Sequence, residues 1–517
     1  MIYGMIGLVL LPFTAFLLIA LSWLAGWNRG ERGEKLTAII AMTTMFTALL
    51  LVLSLDVYAL LYGVSGEIVY GNWFSIGRYH LDIRLYMDAF SQILVTLVLI
   101  IATVSLKFSI NYMHREDGFQ RFFMLLLLFA AAMVMIVSAG SATMLFVGWE
   151  MAGISSYLLI GYAYQRENAT VNASRAFVTN RIGDAGLLLG IFTLYLWLGD
   201  DSWQQMIANS ASLSSFHAGI ILLGFLLAAM TKSALFPFSG WISRALEGPT
   251  PSSALFYGAL MVHAGVYLLI RLEPLLLKSP VLMIFVGIIG ALTTIYATVC
   301  ALVQSDIKSR LMFATTAQAG LMVVTIGLGW FELAMVHLIV HAIWRSLQFL
   351  SAPSILTLIT RPTRPVPQWL KANRFLFTMG MHRFWLDVLG DWLLVIPTRS
   401  IARDLQKFDE HIVNKITGLP ASLGVISSLA QFQRLQNDGS KERDNNIGQG
   451  RGMVGRFVEW LANVLYWFEE QLVLKGGGDG IGRMISGLGH YMQQLDELLS
   501  KPRYLLLMIM ATFVVIV

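Results

Sequence analysis

The chain of 517 residues is 56% hydrophobic and only 13% charged, with a net charge of +5. Because soluble domains carry about 25% charged residues, 36 basic and 31 acidic side chains are too few to coat a soluble protein of this length. This composition excludes a soluble enzyme and gives no indication of nucleic-acid binding. Cys300 is the single cysteine, which excludes a disulfide framework.

The apolar segments predict an all-α, polytopic membrane bundle of about 11–14 helices, because a spanning helix needs about 20 predominantly apolar residues. The first segment lacks the basic region and cleavage site of a signal peptide, and we interpret it as the first span. Residues 64–83 alternate between apolar and polar, which predicts an external hairpin. Eleven spans are predicted in chain order: 3–27, 36–62, 84–110, 121–138, 141–163, 176–198, 217–240, 252–272, 280–303, 309–329 and 331–359.

The basic residues indicate the orientation in the membrane. Loop 199–216 follows the sixth span and contains Asp200 and Asp201 but no lysine or arginine. Because cytoplasmic loops are enriched in lysine and arginine, we expect the N-terminus to lie outside a bacterial inner (plasma) membrane. The loops after odd-numbered spans contain Arg29, Arg32, Lys35, Arg115, Arg166, Arg175, Arg244, Lys308, Arg310, Arg361, Arg364 and Lys371.

Composition divides the chain into five regions. The first contains the N-terminal helices and the hairpin, and the second is the main membrane core. The third is apolar but interrupted by Arg383, Asp387 and Asp391, which predicts an irregular membrane or interfacial segment. The fourth is a polar linker, and the fifth combines an amphipathic helix near 453–475 with an apolar tail. The boundaries are 1–83, 84–360, 361–432, 433–452 and 453–517.

Ionisable residues inside the predicted spans are the candidate functional residues, because each costs about 2.5–3.5 kcal/mol at the centre of a membrane helix. Lys232 lies five residues before Pro237, and a proline there predicts a discontinuous helix from Lys232 to Pro237. One column at four-residue spacing shares a helix face, namely His337, His341 and Arg345. The full set is Glu150, Arg181, Asp184, Lys232, His263, His337, His341 and Arg345.

These residue types are suited to proton transfer. Burial disfavours the charged form of a lysine, whereas a nearby carboxylate favours it, and histidine titrates near neutral pH. The alternative is that these side chains only pair with one another to hold neighbouring helices together. For His263 alone, this structural role is about as plausible as proton transfer. His337 and His341 have a spacing compatible with a metal but lack a third ligand. We expect no metal and no cofactor in this chain.

Several long motifs resemble the antiporter-like subunits of respiratory complex I, in particular subunit L, and of the Mrp-type antiporters. The resemblance covers about residues 84–358. The motifs are FVGWEMAGISSYLLIGY, AFVTNRIGDAG, TKSALFPFSGWISRALEGPTPSSALFYGALMVHAGVYLL, ALVQSDIKSRLMFATTAQAG and HLIVHAIWRSLQFL.

The resemblance implies roles for the candidate residues. Glu150 and Lys232 match the glutamate–lysine pair of the family, and Arg181 and Asp184 match an arginine–aspartate pair associated with coupling. Three residues match the central relay, namely Lys308, His337 and His341. The chain departs from the family at Arg345, where relatives have a lysine, and at Tyr257, where they have a histidine.

The chain also departs from the family after residue 359, because the second five-helix half is incomplete and its exit-side lysine or glutamate is missing. The shortened B subunit of DAB-type inorganic-carbon transporters resembles this pattern. That resemblance implies a large A-subunit partner similar to a zinc β-carbonic anhydrase, with the zinc in the partner.

We therefore expect a proton- or cation-conducting subunit that drives CO2 or bicarbonate uptake, with membrane lipid and a partner subunit as its contacts. The alternatives are a proton-pumping subunit of a complex I-type quinone reductase, a non-conducting membrane anchor, and a self-sufficient Na+/H+ antiporter. The sequence does not distinguish H+ from Na+.

Overall fold

The computed structural model describes residues 2–64, 66–76, 79–358 and 366–409, together with Trp460 and Val464. The described residues form a polytopic helical membrane bundle with one two-stranded hairpin, which confirms the predicted fold class. The chain divides into two units, residues 1–398 and 399–517. The predicted linker 433–452 lies outside the described residues, as does region 453–517 apart from those two helical positions.

Eleven helical segments among the described residues are long and apolar enough to span a membrane, and they correspond to the eleven predicted spans. They are α1 (Ile2–Leu24), α2 (Gly30–Tyr62), α3 (Ala89–Tyr112), α4 (Phe119–Ser138), α5 (Ala142–Ile160), α6 (Glu167–Leu198), α8 (Ser215–Lys232), the broken helix Thr250–Arg271, α12 (Pro280–Val303), α13 (Ile307–Gly327) and α14 (Phe331–Leu358).

The predicted hairpin is present as an antiparallel pair of strands, β1 (Gly66–Ile76) and β2 (Tyr79–Met87). β2 extends four residues past the predicted boundary at residue 83. Asp88 then caps α3 by accepting a hydrogen bond from the backbone N–H of Ser91 at 2.8 Å. The third span therefore begins at Ala89 and not at residue 84.

Two spanning segments are interrupted. α8 ends at Lys232, Ala234 adopts a positive φ of 49°, and a 3-10 turn follows at Phe238–Gly240. The eighth span was predicted as one helix, 252–272, but it is broken. It consists of α9 (Thr250–Ser253), a π-helical turn (Ala254–Ala259), a 3-10 turn (Met261–His263) and α10 (Ala264–Arg271).

The remaining helices are short. Residues 366–409, within the region predicted to be irregular, follow a bent path in which Arg383, Phe384 and Trp385 all have φ near +54°. The short helices and turns are α7 (Trp203–Asn209), α11 (Glu273–Lys278), α15 (Gln368–Ala372), α16 (Arg374–Met381), α17 (Leu386–Gly390), a π-helical turn (Asp391–Val395) and α18 (Ile396–Phe408).

Glycines bring α6 and α8 into backbone contact. A Cβ atom at Gly224 would lie 2.6 Å from the backbone nitrogen of Gly190 and 2.7 Å from the carbonyl oxygen of Gly186. Small residues allow this close approach, which is the usual way that membrane helices pack. The contact holds the polar side chains of α6 next to the C-terminal end of α8.

Candidate functional site

The first polar cluster joins α5, α6 and α8. Glu150 of α5 forms an ion pair with Arg181 of α6, whose Nη1 also lies 3.6 Å from Asp184 Oδ2. Lys232, the last residue of α8, is only 1% exposed. Its ammonium reaches the backbone of α5 at Trp149, the residue before Glu150. The structure therefore brings together all four residues that the sequence predicted in this region.

The hydrogen bond of Lys232 goes to the backbone. Its Nζ donates to the carbonyl oxygen of Trp149 at 3.0 Å and lies 5.0 Å from the centroid of the Trp149 ring. Among the described residues Lys232 has no carboxylate within ion-pair distance. Glu150 and Lys232 are thus neighbours but not a direct ion pair, because Arg181 holds the glutamate.

The interruption of α8 places Lys232 at a helix end. At this helix end the carbonyl oxygen of Thr231 accepts from Trp241 Nε1 at 3.0 Å as well as from the backbone N–H of Ala234 at 3.3 Å. The hydroxyl of Ser233, the next residue, is buried with no hydrogen-bond partner among the described residues. The polar groups at the end of α8 therefore face one another in the interior of the bundle and do not face lipid.

The second polar cluster joins the broken helix to α14. His263 Nε2 lies 3.0 Å from His341 Nδ1, and Arg345 Nε donates to His341 Nε2 at 3.4 Å. Arg345 Nη1 also donates to Gln348 Oε1 at 2.8 Å. His337 is in contact with the ring of His341 and shares a hydrogen bond of 2.9 Å with Gln318 of α13. His263 of the broken helix is thus joined by a hydrogen bond to the column that the spacing predicted on α14.

The guanidinium of Arg345 determines the tautomers of both histidines. Arginine has no acceptor and stays protonated, so His341 Nε2 must accept and its proton sits on Nδ1. That N–H donates to His263 Nε2, which places the proton of His263 on Nδ1. His263 Nδ1 is buried and has no partner among the described residues. The hydrogen bonds therefore run in one direction, from Arg345 to His263.

Two of the predicted residues lie apart from these clusters. Lys308 is in the first turn of α13, ten residues before Gln318 and therefore about 15 Å away along the helix. Tyr257 is buried, but its hydroxyl donates to the carbonyl oxygen of Ala245 at 2.8 Å. The structure does not join either residue to the histidines by a hydrogen bond.

The sequence did not indicate the partners of Asp387 and Asp391. Asp387 accepts from Arg244 Nη2 at 2.7 Å, and Asp391 forms a bidentate ion pair with Arg175 of α6. Both arginines were interpreted only as cytoplasmic loop charges. These two ion pairs connect the short helices after residue 374 to α6 and to a second 3-10 turn after α8, Ile242–Arg244.

The described residues contain no group of three or more histidine, cysteine, aspartate or glutamate side chains arranged to hold a metal ion. The two clusters bring together lysine, histidine and carboxylate side chains, which can take up and release protons. Arg181 and Arg345 lie beside them as fixed positive charges.

Comparison with known proteins gives matches over most of the membrane-spanning part. Residues 139–379 match the family described as NADH:quinone oxidoreductase/Mrp antiporter, TM, and residues 73–123 match NADH-ubiquinone oxidoreductase (complex I), chain 5 N-terminus. The chain is 33% identical over 355 residues to the chloroplastic NAD(P)H-quinone oxidoreductase subunit 5 of Piper cenocladum, covering 67% of this chain and 47% of that protein.

It is also 39% identical over 285 residues to NADH-ubiquinone oxidoreductase chain 5 of Ceratotherium simum, covering 55% of this chain and 46% of that protein. The chain spans about half the length of the curated relatives it matches. Among solved structures, the Mrp complex from Dietzia sp. DQ12-45-1b is similar with a TM-score of 0.57 and 28% identity, covering 66% of this chain and 37% of that one. An archaeal membrane-bound sulfane sulfur reductase shares the fold at 20% identity with a TM-score of 0.57.

Proposed function

Because the chain belongs, over residues 73–123 and 139–379, to the family of antiporter-like membrane subunits, we propose that it conducts protons as one subunit of a multi-subunit membrane complex. The observation that carries this proposal is the position of Lys232. It is a buried ammonium at the end of an interrupted helix, among carboxylates on two neighbouring helices.

Lys232 is suited to bind and release a proton because its surroundings can shift the balance between its charged and its neutral form. Its hydrogen bond is to a neutral carbonyl, while Glu150 is held by Arg181. Movement of a carboxylate towards the ammonium favours the charged lysine, and movement away favours the neutral amine. Arg181 can therefore act as the competing partner that draws Glu150 away from Lys232.

The route from Lys232 to the histidines passes the helix end. Gly265 of α10 packs against Ala229 of α8 and against Ser233, the residue after α8, and a Cβ atom at residue 265 would meet the Ser233 hydroxyl. His263 lies two residues before Gly265. Ser233 follows Lys232 in the chain, its hydroxyl has no partner among the described residues, and it contacts the segment that holds His263. It is therefore the candidate for an intermediate donor and acceptor of a proton.

Proton flux in vesicles tests this proposal. We expect Lys232→Ala and Glu150→Gln each to abolish proton uptake by the complex reconstituted in liposomes, measured with an enclosed pH-sensitive dye under an imposed membrane potential. Assembly should be retained. Lys107→Ala is the matched control, because Lys107 is an exposed lysine of α3. Near-normal flux in the Lys232→Ala complex would contradict the proposal.

We further propose that the flux drives inorganic-carbon uptake through a large A subunit similar to a zinc β-carbonic anhydrase. This rests on the resemblance to the shortened B subunits. It is supported by the described residues 368–408, which form short helices after α14 and no long span. Purification of the tagged chain should recover a zinc-containing partner, and deletion of the chain should abolish bicarbonate-dependent growth at low CO2.

Other outcomes identify the alternatives. Recovery of quinone-reductase subunits would instead assign the chain to a complex I-type enzyme. Carbon uptake that survives Lys232→Ala would identify the chain as a non-conducting anchor. Replacing Na+ with choline in the vesicle assay distinguishes proton from sodium transport.

A further inference from the structure

The guanidinium of Arg181 lies near the middle of the membrane. Glu150, its ion-pair partner, is close to the midpoint of α5, a helix of 19 residues. A helix of that length rises about 28 Å, which matches the thickness of the hydrocarbon core of a bilayer. A guanidinium in contact with Glu150 is therefore about equally far from the two membrane surfaces.

The chain covers this guanidinium only in part. The side chain of Arg181 is 47% exposed, whereas those of Glu150 and Asp184 are 18% and 9% exposed. Both carboxylates are contacted through Nη1, and the ring of Phe177 lies 4.9 Å from the guanidinium carbon. Because an arginine has five N–H donors, several of them remain for an acceptor outside the described residues.

Arg181 belongs to a continuous exposed face of α6. Ala185, Leu188 and Phe192 follow it at helical spacing, so the four residues share one side of the helix. All four are exposed, and we call them the Arg181 face. Apolar side chains can face either lipid or protein, but a charged group at this depth is costly in contact with hydrocarbon. The Arg181 face is therefore suited to protein and not to lipid.

The charges around Arg181 restrict the chemistry of the missing acceptor. Arg181 and Lys232 are two cations, and Glu150 and Asp184 are two anions, so their formal charges sum to zero. A third carboxylate would leave a negative charge uncompensated inside the membrane, which is unfavourable. A side-chain amide or hydroxyl accepts from a guanidinium without adding charge.

We propose that the Arg181 face is an interface with a membrane-spanning helix of another subunit. That helix is apolar where it meets Leu188 and Phe192, and it places an asparagine, glutamine, serine or threonine at the level of Arg181. This rests on the proposed membership of a multi-subunit complex and not on proton conduction.

A steric variant tests the interface without changing the charged residues. Ala185 is exposed, so Ala185→Trp should not disturb the packing of the chain, but it places a large ring in the interface. We expect recovery of the other subunit with the tagged chain to fall at least tenfold, while the melting temperature of the chain stays within a few degrees. Leu50→Trp is the matched control, because Leu50 is a 70% exposed residue of α2. Wild-type recovery in Ala185→Trp would overturn the proposal.

Photocrosslinking identifies the chemistry of the neighbour. Leu189 is 52% exposed and flanks the Arg181 face, so Leu189→Cys in a Cys300→Ser background can carry a thiol-reactive benzophenone in the complex. We expect a crosslink to a spanning segment of another subunit that contains an amide or hydroxyl side chain. Crosslinks to lipid alone, to residues 410–517 of this chain, or to a segment whose only polar side chain is a carboxylate would overturn the proposal.

The same crosslink separates this interface from the proposed proton conduction. Lys232→Ala should keep the crosslink and lose proton flux in the vesicle assay. A retained crosslink with near-normal flux in that variant would contradict proton conduction and support the interface. Lost flux in Lys232→Ala, together with crosslinks to lipid alone, would overturn the interface and leave proton conduction supported.

Discussion

At the residue scale, Arg345 gives the α14 column a fixed direction. A lysine at this position, as the family resemblance implies for relatives, can release its proton and so take part in transfer. A guanidinium stays charged and only donates. Its Nε–H points at His341, and His341 in turn donates to His263. Arg345 is therefore one end of this chain of hydrogen bonds, which runs from it towards the broken helix.

Arg345→Met tests this orientation directly. Without the Nε–H donor, His341 Nε2 no longer has to accept, and we expect both tautomers of His341 to become populated. Nitrogen-15 chemical shifts of the imidazole rings, measured on labelled protein in lipid, distinguish Nδ1–H from Nε2–H. Arg345→Lys keeps a donor and should retain part of the wild-type preference. A single unchanged tautomer in Arg345→Met would show that another group orients the ring.

The sequence predicted those candidate residues that are ionisable and lie in an apolar segment. Lys232 and His341 stand out for this reason, and the structure places both in buried clusters. The acceptor of Lys232 could not be predicted, because a backbone carbonyl such as that of Trp149 leaves no signal in the sequence. Gln318 was missed because an uncharged polar residue is common in membrane helices.

At the element scale, the hairpin is attached to the bundle through Arg84. The backbone carbonyl of Arg84 accepts from the N–H of Gly140 at 2.8 Å, at the turn between α4 and α5. Its guanidinium contacts three carboxylates, with the nearest atoms 2.7 Å away for Asp82, 2.8 Å for Asp200 and 3.8 Å for Glu67. One cation thus compensates several acidic groups on the hairpin and the loop after α6.

Glu67 makes the stability of this attachment depend on pH. Burial raises the pKa of Glu67, Arg84 opposes that increase, and the neighbouring aspartates add to it. A carboxyl group whose pKa is higher in the folded state binds its proton more tightly there. Its contribution to stability is therefore present at low pH and is lost as the pH rises through the folded-state pKa.

Arg84→Ala should destabilise the protein by about 1–3 kcal/mol near neutral pH, because charged hydrogen bonds are lost in a partly buried site. Without Arg84 the pKa of Glu67 rises further, so the destabilisation should shrink as the pH is lowered towards about 5. Thermal unfolding of the protein in nanodiscs at both pH values measures this. Arg115→Ala is the control, since Arg115 is 72% exposed in its ion pair with Glu31. It should change stability by less than about 0.5 kcal/mol.

The interruption at Lys232 was predictable, whereas the one in the eighth span was not. Pro237 removes a backbone donor close to Lys232, so the sequence carries a direct signal. The π-helical turn Ala254–Ala259 contains only residues that are acceptable in a helix. Its irregularity depends on neighbours, including Phe349 of α14, which lies 3.1 Å from where a Cβ atom on Gly258 would be. Such contacts between distant segments are not visible in one sequence.

At the scale of the whole bundle, the broken helix can be irregular because it is enclosed. Its most apolar stretch is entirely buried, whereas the corresponding stretches of α1 and α2 are largely exposed. Irregular backbone within a membrane is tolerated only where protein or water satisfies its polar groups. The broken helix is therefore the interior element of the bundle, and its His263 meets the α14 column at His341.

The orientation of the bundle in the membrane can be tested at the two ends of α6, because its 32 residues span about 48 Å. Arg166 precedes the helix and Asp200 and Asp201 follow it, so the positive-inside rule places its N-terminal end in the cytoplasm. Cys300 is buried in α12 and should not react with a membrane-impermeant maleimide. In intact spheroplasts we expect Ala211→Cys to be labelled and Gln165→Cys to be protected, with both labelled after permeabilisation. Labelling in the reverse order would place the N-terminus in the cytoplasm. It would also place Asp88 and the hairpin on the cytoplasmic face, because the hairpin follows the second span.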